Sequence, residues 1–544
     1  MKLKNSYKKY VNVVKKAVCP GETCRKVFER IRGRNILEKI YYIERPGNIP
    51  QYRIEGGKEF QQTVTLSGCN GKGHTRILAL ASGMMELVER YSCYKYFRDG
   101  KDARIGTFRG MKSDFYSLND FPSFVFGFRE GSIQMRDIED CRVRWFKAYT
   151  LAGEELYFPF SLAGYLLQGT TGMASGNTLE EALLHAICET VERHCLSKIQ
   201  RTGAASPTIK ISSITNPASL DLINTFQDLG HKVIIKDFSL GMGIPVIGVV
   251  RLIDQEHCFV TAGVSPDPAE ALIRALTENS QAGIKEHFRL IRGQAYHFRD
   301  TGAVDLEDIP GFSSPNIKTE LLLIEEILQR QGMRIFFHDA TDSNLKIPAV
   351  VVMVTNTELL EEIMPSPGGF AAWKNIYLAV VQEYLDMYDY RGALRLIDKF
   401  SILDRKNRDI YLCYKGIALK WMQRYSAAAR CFREVIDSKG NPGIQSIALF
   451  QSGLCYHALG DIKKAGEYYC RIIETNPTFN IFFQWMYYKA VHAKDTEQKR
   501  IIDEAANICE LLRLGVRMKK SAAGRRCGTP LCAAYGPLKT TAEK

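Results

Sequence analysis

Two glutamates and a serine share one face of a predicted helix, where their oxygen atoms could bind a cation. At 100° per residue, Ser82, Glu86 and Glu89 fall within about 60° of one another. A Gly-Lys-Gly turn precedes this helix at residues 71–73, and the apolar Leu87 lies among the acids. Carboxylates that share a protein interior repel each other, and burial raises their pKa values. A divalent cation would relieve both effects.

A second predicted helix, over residues 178–200, repeats this pattern. Both helices contain the sequence Glu-x-Val-Glu-Arg, and the two copies start 103 residues apart. Measured around the helix from Glu181, Asn177 lies at about −40° and Glu192 at about +20°. Glu189 lies at about +80°, so one face carries an amide and three carboxylates. The two segments therefore resemble each other in the spacing of their acids.

A third segment places Arg274 and Glu278 one helical turn apart. Arginines and an asparagine beside carboxylates suit phosphate and ribose oxygens, and Mg²⁺ commonly bridges one or two carboxylates to a substrate phosphate. The spacing therefore fits a metal–nucleotide site. It fits equally the solvated faces of surface helices, and periodicity alone leaves both interpretations open. The sequence contains no GxxxxGK[ST] phosphate-binding loop, so any nucleotide site here is of another kind.

The chain divides into five regions by composition. Residues 1–15 form a basic arm that we expect to be solvated, and residues 16–365 alternate short apolar strands with amphipathic helices. A linker rich in proline and glycine, 366–372, precedes a helical region at 373–518, and 519–544 form a basic, irregular tail. The first large region is thus predicted to be α+β and the second all-α. Helices are predicted at 75–98, 178–200, 268–291 and 318–331, and strands at 39–42, 62–66, 232–235, 246–252, 258–262, 333–337 and 349–354.

The helical region contains an internal repeat. Small, aromatic and turn-forming residues recur with periods of 35–37 residues, close to the 34 of the tetratricopeptide motif. Such repeats stack paired helices into a solenoid. An unrelated helical bundle is the alternative. The repeat positions are Tyr384, Tyr390 and Ala393, then Gly416, Leu419, Tyr425, Ala428 and Phe432, then Gly453, Tyr456, Gly460, Ala465, Tyr469 and Pro477.

Composition excludes several classes of protein. The chain has 73 Lys and Arg against 60 Asp and Glu, but the net charge of +13 comes with basic ends rather than with a nucleic-acid-binding motif. Fifteen cysteines in 544 residues are too few for a disulfide scaffold, and none has CxxC zinc spacing. With no signal peptide or membrane span in the sequence, we expect a cytoplasmic protein that binds neither nucleic acid nor membrane.

Five ordered segments together resemble the YcaO-domain family over roughly residues 18–360. The resemblance implies a YcaO-type ATP-binding fold that uses ATP and Mg²⁺ without a P-loop. One departure concerns residue 22, where some members carry an ATP-binding lysine and this chain has Glu22; Thr23, Arg25 and Lys26 are the neighbouring substitutes. The segments are Pro20-Gly-Glu-Thr23, Gly71-Lys-Gly73, Ser82-x3-Glu86-x2-Glu89-Arg90, Ala174-Ser-Gly-Asn177-x3-Glu181-x7-Glu189-x2-Glu192-Arg193, and Arg274-x3-Glu278.

The same resemblance implies roles for individual residues. Five glutamates would hold Mg²⁺: Glu86, Glu89, Glu181, Glu189 and Glu192. Four residues would contact the nucleotide: Ser82, Asn177, Arg193 and Arg274. Arg274 and Glu278 would act near the reacting phosphate, with Glu278 orienting Arg274.

The family resemblance also implies a reaction. Members activate a peptide-backbone amide by phosphorylating its oxygen as a nucleophile adds to the carbonyl carbon. Without a Pro-rich terminal motif of the azoline-forming type, the chain resembles the thioamide-forming or stand-alone members, which often act with a TfuA-like partner. The alternative is a nucleotide-binding scaffold with little turnover. The helical repeats would dock a peptide or protein, or else serve as a stabilising or dimerisation element.

Overall fold

The structure is a computed structural model of the 544-residue chain. It describes residues 2–43, 49–64, 68–100, 103–111, 137–159, 170–281, 289–358, 376–438, 440 and 442–475. The chain forms two compact units, Met1–Ile363 and Met364–Lys544, which we take one at a time. No helix in the described ranges is long and apolar enough to cross a membrane.

The first unit is built on short strands rich in β-branched and aromatic residues. Their neighbours in each sheet pair antiparallel, except for the parallel pair formed by the tenth and fifteenth strands. The described strands are β1 (Tyr10–Val11), β2 (Lys15–Lys16), β3 (Leu37–Ile43), β4 (Gln51–Gly56), β5 (Gly68–Lys72), β6 (Arg104–Thr107), β7 (Arg142–Tyr149), β8 (Glu155–Phe158), β9 (Met173–Ser175), β10 (Ser206–Ile209), β11 (Lys232–Asp237), β12 (Val246–Leu252), β13 (His257–Val264), β14 (Arg289–Leu290), β15 (Asp300–Val304), β16 (Ile335–Asp339) and β17 (Ala349–Val354).

These strands form two large sheets and two small ones. One six-stranded sheet has the order β14-β13-β12-β11-β10-β15, and the other contains β6-β7-β16-β17-β9 with β8 paired to β7. A three-stranded sheet, β3-β4-β5, carries the Gly-Lys-Gly turn at its edge, and β1 pairs with β2. Since helices lie among these sheets, the first unit is an α/β domain. Its helices are α1 (Pro20–Ile31), α2 (Lys58–Gln61), α3 (Arg76–Asp99), α4 (Leu179–Thr202), α5 (Pro217–Asp228), α6 (Pro268–Asn279) and α7 (Ile317–Gln329).

Helices α3 and α4 are built alike. Each has 24 residues, begins after a threonine whose hydroxyl accepts a bond from the first turn, and ends at a glycine with positive φ. Each follows a strand that ends on a glycine-containing turn. A Cβ on Gly71 would lie 2.0 Å from the carbonyl oxygen of Ala79, and one on Gly176 would lie 2.4 Å from the amide nitrogen of Ala182. Glycine therefore lets each strand end pack directly on its helix.

Most predicted elements of the first unit are confirmed. The predicted helices 75–98, 178–200 and 318–331 match α3, α4 and α7, and the strands 246–252 and 349–354 coincide with β12 and β17. The predicted strand 62–66 is wrong where it is described, because residues 62–64 continue from α2 as a turn. The predicted helix 268–291 is too long, since α6 ends at Asn279 and residues 289–290 form a strand.

The prediction of a solvated basic arm at residues 1–15 is also wrong. Residues 10–11 pair with 15–16 as β1 and β2. The Lys8 side chain is only 6% exposed and forms an ion pair with Glu320, which is fully buried. Lysines that form ion pairs with acidic residues far along the chain are held against the domain and are not left in solvent.

The described part of the second unit is all-helical. Successive helices pack on one another, and a Cβ on Gly416 would lie 2.5 Å from the ring of Phe432, as expected of a close helix pair. The tetratricopeptide assignment stays a prediction. The linker 366–372, the Tyr469 side chain, Pro477 and the tail 519–544 lie outside the described residues. The helices are α8 (Ile376–Asp386), α9 (Tyr390–Leu403), α10 (Arg408–Trp421), α11 (Tyr425–Asp437), α12 (Pro442–Ala458) and α13 (Ile462–Thr475).

Candidate functional site

A cavity of about 470 Å³ opens in the first unit between α3, α4 and α6. Strand β5 and the segment before α1 complete its walls. All ten site residues proposed from the sequence line this one cavity, although their positions span nearly 200 residues of chain. They are Ser82, Glu86, Glu89, Asn177, Glu181, Glu189, Glu192, Arg193, Arg274 and Glu278.

Helix α3 contributes the first pair of carboxylates. The guanidinium of Arg90 donates to Oε1 of Glu86 from Nη2 at 2.8 Å and from Nε at 3.2 Å. Burial raises the pKa of Glu89 well above its usual range, and the nearby charges of Glu189 and Glu86 raise it further. Glu86 is thus paired with Arg90 within its own helix, whereas burial disfavours the charged form of Glu89 despite the nearby charges of Arg90 and Lys72.

Helix α4 supplies the second pair. Burial raises the pKa of Glu189 to about 7, and Glu192 adds to the effect while Arg193 opposes it. Burial also raises the pKa of Glu192, against the attraction of Arg193 and Arg274. The Glu192 side chain is 13% exposed, and its carboxylate lies 3.9 Å from the Arg193 guanidinium. Buried acids with raised pKa values in a cavity are typical of functional sites.

The start of α4 holds its residues differently. Oε1 of Glu181 accepts a bond from Nδ2 of Asn177 at 3.2 Å, and Oε2 accepts one from the backbone N–H of Ala17 at 2.9 Å. Oδ1 of Asn177 accepts from the Thr23 hydroxyl at 3.1 Å. Each Glu181 oxygen therefore already has one partner in the chain, and this carboxylate also anchors the segment that leads into α1.

Helix α6 brings the third segment into the cavity. The Glu278 carboxylate forms an ion pair with the ammonium group of Lys72, which lies at the end of β5. Burial lowers the pKa of Lys72 to about 8, and the charge of Arg274 lowers it further, although Glu86 and Glu192 favour the charged form. The ion pair joins β5 and α6, two of the elements that line the cavity.

Six further titratable residues that line the cavity were not among the ten predicted from the sequence. They are Lys16, Lys72, His74, Arg90, His185 and Glu270. Glu270 lies one turn before Arg274, and Lys72 is the centre of the Gly-Lys-Gly turn, so both carried a signal. Lys16 carried no such signal, because it lies within a run of lysines.

Residue 22 is the position at which the sequence departs from the family pattern. Glu22 is exposed, whereas its neighbour Thr23 lines the cavity. Arg25 instead pairs with Glu29 at 2.6 Å.

The donor chemistry of the cavity fits Mg²⁺ and a polyphosphate. Its carboxylate oxygens are the ligands that Mg²⁺ prefers, and a bound cation would favour the charged forms of Glu89, Glu189 and Glu192, whose pKa values burial raises. Within the described ranges, no three His, Cys, Asp or Glu side chains lie close enough to hold a metal by themselves. Phosphate oxygens and water would therefore complete the coordination, as is usual for Mg²⁺.

Acid-rich helices and three arginines line one cavity of this α/β domain, and the sequence contains no P-loop. A family model described as YcaO cyclodehydratase, ATP- and Mg²⁺-binding, matches residues 70–358, more than half of the chain. The chain belongs to the YcaO family, and ATP and Mg²⁺ are the cofactors of this domain. The family expectation drawn from the sequence is confirmed, while its thioamide subtype stays a prediction.

Relatives cover different shares of the chain. An uncharacterized protein of Methanothermobacter thermautotrophicus is 25% identical over 382 residues, which is 63% of this chain and 95% of the relative. A protein encoded in the tfuA 3′ region of Rhizobium leguminosarum bv. trifolii is 29% identical over 242 residues, 40% of this chain and 55% of the relative. A solved heterocyclase in complex with substrate and cofactor superposes with a TM-score of 0.56 at 20% identity, covering 66% of this chain and 54% of that one. The chain thus spans about half the length of the last two, and the structural likeness shows the fold.

Proposed function

We propose that the chain is an ATP- and Mg²⁺-dependent enzyme that activates a peptide-backbone amide for attack by a nucleophile. One observation carries the proposal: ten residues from three distant segments line a single cavity whose charges suit a metal-bound triphosphate. The family description, which names ATP, Mg²⁺ and cyclodehydratase activity, supports it. The two compact units support a catalytic domain at 16–365 followed by a helical docking domain.

The proposed reaction makes a poor leaving group into a good one. A nucleophile adds to the amide carbon, the carbonyl oxygen takes the γ-phosphoryl group of ATP, and ADP leaves. Phosphate then departs with that oxygen, and the new carbon–nucleophile bond remains. Mg²⁺, when bound, would neutralise the negative charge that develops on the phosphate during transfer.

The protein's own residues position the reactants. Five glutamates would share the binding of Mg²⁺: Glu86, Glu89, Glu181, Glu189 and Glu192. Two of them already have partners in the chain, since Glu86 accepts from Arg90 and Glu181 accepts from Asn177 and Ala17. A second set would bind the nucleotide: Ser82, Asn177, Arg193 and Arg274, to which the structure adds Lys16. Glu278, held by Lys72, would act beside the transferring phosphate together with Arg274.

For the nucleophile we propose sulfide, which makes the product a thioamide. The relative encoded beside tfuA supports this choice, since it places a protein similar to this one next to a gene of that name. We further propose a TfuA-like protein as partner and a peptide or protein as substrate, docked by the helical repeats.

The test combines a product assay with a matched pair of variants. Purified protein, ATP, Mg²⁺, sulfide and candidate peptides are incubated, and phosphate release and peptide mass are recorded. Oxygen-to-sulfur exchange adds about 16 Da, whereas ring closure with loss of water removes about 18 Da, with phosphate released in either case. Glu192→Gln should abolish phosphate release, while the exposed Glu29→Gln should leave it unchanged.

Two results would change the proposal. If the wild-type chain binds no nucleotide, the metal–nucleotide site is refuted. If it binds ATP saturably but releases no phosphate with any peptide and the TfuA-like protein present, the nucleotide-binding scaffold is the better description.

A further inference from the structure

The first 19 residues cross the beginnings of three helices and reach the cavity. We call residues 2–19 the N-terminal strap. The backbone N–H of Lys4 donates to Glu180 at 2.7 Å, at the start of α4. The N–H of Ser6 donates to Oδ1 of Asn316, the residue before α7, at 3.0 Å. The strap is therefore held by helices that lie far away along the chain.

Its distal half contacts α7 through Ser6 and Lys8. Besides the ion pair of Lys8 with Glu320, the backbone N–H of Ile317 donates to the carbonyl of Ser6 at 2.8 Å. The Ser6 hydroxyl also lies 2.8 Å from the hydroxyl of Thr178, which caps α4. These contacts anchor the strap at points that lie outside the cavity.

Its proximal half is fixed on both sides of Lys16. On one side, Lys15 forms an ion pair with Asp267, in which both side chains are about a quarter exposed. On the other side, the N–H of Ala17 donates to Glu181 at 2.9 Å. Lys16, between these two anchors, lines the cavity.

The surroundings of Lys16 show why its placement matters. Lys16, His185 and Glu270 all line the cavity. Burial raises the pKa of Glu270 and lowers that of His185, and the charge of Lys16 opposes the first shift and adds to the second. Arg274 acts on the same two groups. Lys16 and Arg274 are therefore two cations on the lining of the cavity, where an anionic ligand would be held.

We propose that Lys15 is a positioning residue, whose ion pair with Asp267 holds Lys16 in the geometry that binds nucleotide and so couples nucleotide binding to the seating of the strap. This inference rests on the proposed nucleotide site. A long lysine side chain binds an anion best when its backbone is already fixed, because less conformational freedom is lost on binding. By linkage, a nucleotide that holds Lys16 stabilises the seated strap by the same factor.

The ion pair can be removed without disturbing the helix that carries it. Asp267 caps α6 by accepting bonds from the backbone N–H groups of Ala269 and Glu270 at 2.9 and 3.4 Å. Asparagine caps a helix as well as aspartate does, so Asp267→Asn keeps the cap and removes the charge. Lys15→Ala removes the other partner, and Lys15→Arg restores a cation.

The control variant is Lys9→Ala. Lys9 is an exposed lysine of the same strap and has no ion pair within the described part of the chain. Titration of each full-length variant with a fluorescent ATP analogue and Mg²⁺ gives the dissociation constant. Calorimetric Tm shows whether the fold is intact, and the rate of trypsin cleavage after Lys16 reports the seating of the strap.

We expect Lys15→Ala and Asp267→Asn each to weaken analogue binding about tenfold, or about 1.4 kcal/mol. The double variant should be no weaker than either single one, and Lys15→Arg and Lys9→Ala should bind like wild type. Saturating analogue should slow cleavage in wild type about tenfold, and less in Lys15→Ala.

Three results would each overturn the coupling. The first is an unchanged affinity in both single variants, and the second is additive losses of affinity in the double variant. The third is a cleavage rate that does not change when the analogue is added. Should Lys15→Ala prove unstable, Asp267→Asn decides the matter alone. A wild-type chain that binds no analogue would instead refute the nucleotide site itself.

Discussion

Replacing Glu189 by glutamine should stabilise the cofactor-free first unit while abolishing its response to Mg²⁺ and ATP. The wild-type carboxyl has a pKa raised from 4.5 to about 7, first of all by burial. At 1.36 kcal/mol per pKa unit, this shift costs the folded protein about 3 kcal/mol at alkaline pH. Glutamine has nearly the same shape and carries no charge, so it removes the cost.

The effect depends on pH in a defined direction. Below pH 4.5 Glu189 is protonated in both the folded and the unfolded chain, and the variant should match wild type. As the pH rises from 4.5 through about 7, the wild type progressively loses stability because unfolding lets the carboxyl ionise. Above that range the difference should be complete.

Differential scanning calorimetry after chelation of metals can resolve this difference in the transition of the first unit. At pH 8 we expect Glu189→Gln to melt about 3–6 °C above wild type, taking roughly 1–2 °C per kcal/mol for a unit of this size. At pH 5 the gap should shrink below about 2 °C. The exposed Glu22→Gln serves as control and should melt like wild type at both pH values.

Addition of ATP and Mg²⁺ should reverse the order at pH 8, since only the wild type keeps the ligand. The reasoning is refuted if the variant is less stable than wild type without cofactors at pH 8, or if the gap does not change with pH. Either result would mean that the Glu189 carboxylate has a favourable partner in the folded protein, and that its burial does not lower the stability of the fold.

Three further predictions follow from single contacts. Mg²⁺ should bind the nucleotide-loaded wild type more tightly at pH 8 than at pH 6 in titration calorimetry, because Glu189 must lose a proton that it holds up to a pKa of about 7. Gly71→Ala should lower the stability of the first unit by about 3 kcal/mol, seen as a lower calorimetric Tm, since its methyl group would meet the Ala79 carbonyl. Asp389→Ala should cost the second unit about 1 kcal/mol, with Asp389→Asn near neutral, because the side chain caps α9 by accepting from Gly392 at 2.8 Å.

The site could be predicted from the sequence because its functional side chains recur at helical spacing. Glu86 and Glu89 lie on one face of α3, and Glu189 and Glu192 lie on one face of α4. Each helix is long and carries a clear start and stop signal, which are local properties. That the two helices face each other across one cavity is a tertiary fact, and the family resemblance rather than periodicity supplied it.

The strap could not be predicted in this way. In the sequence it is only a run of lysines with few acids, which is typical of a solvated tail. Its partners Glu181, Asp267 and Glu320 lie between 160 and about 310 residues further along the chain. Ion pairs over such separations leave no periodic signal, so the sequence alone predicts a solvated arm.

Glu181 shows a related difficulty. Its place on the acidic face of α4 predicts a metal ligand, and the resemblance gives it the same role. The structure adds that its two oxygens accept bonds from Asn177 and from Ala17. Periodicity identifies which side chains share a face, but the segment that folds over that face decides how many of their lone pairs remain for a cation.

The charges of the cavity are arranged so that metal and phosphate satisfy different groups. Glu86 already has Arg90, and Glu278 already has Lys72. The carboxylates with raised pKa values, Glu89, Glu189 and Glu192, are those that a bound cation would relieve. In the proposed site, Lys16, Arg193 and Arg274 would face the remaining negative charge of a triphosphate. A free metal ion would leave the charges of these three cations unmatched, and a free triphosphate would meet the three carboxylates. We therefore expect the cavity to bind the metal–nucleotide complex best, and we expect the placement of Lys16 by the strap to affect that affinity.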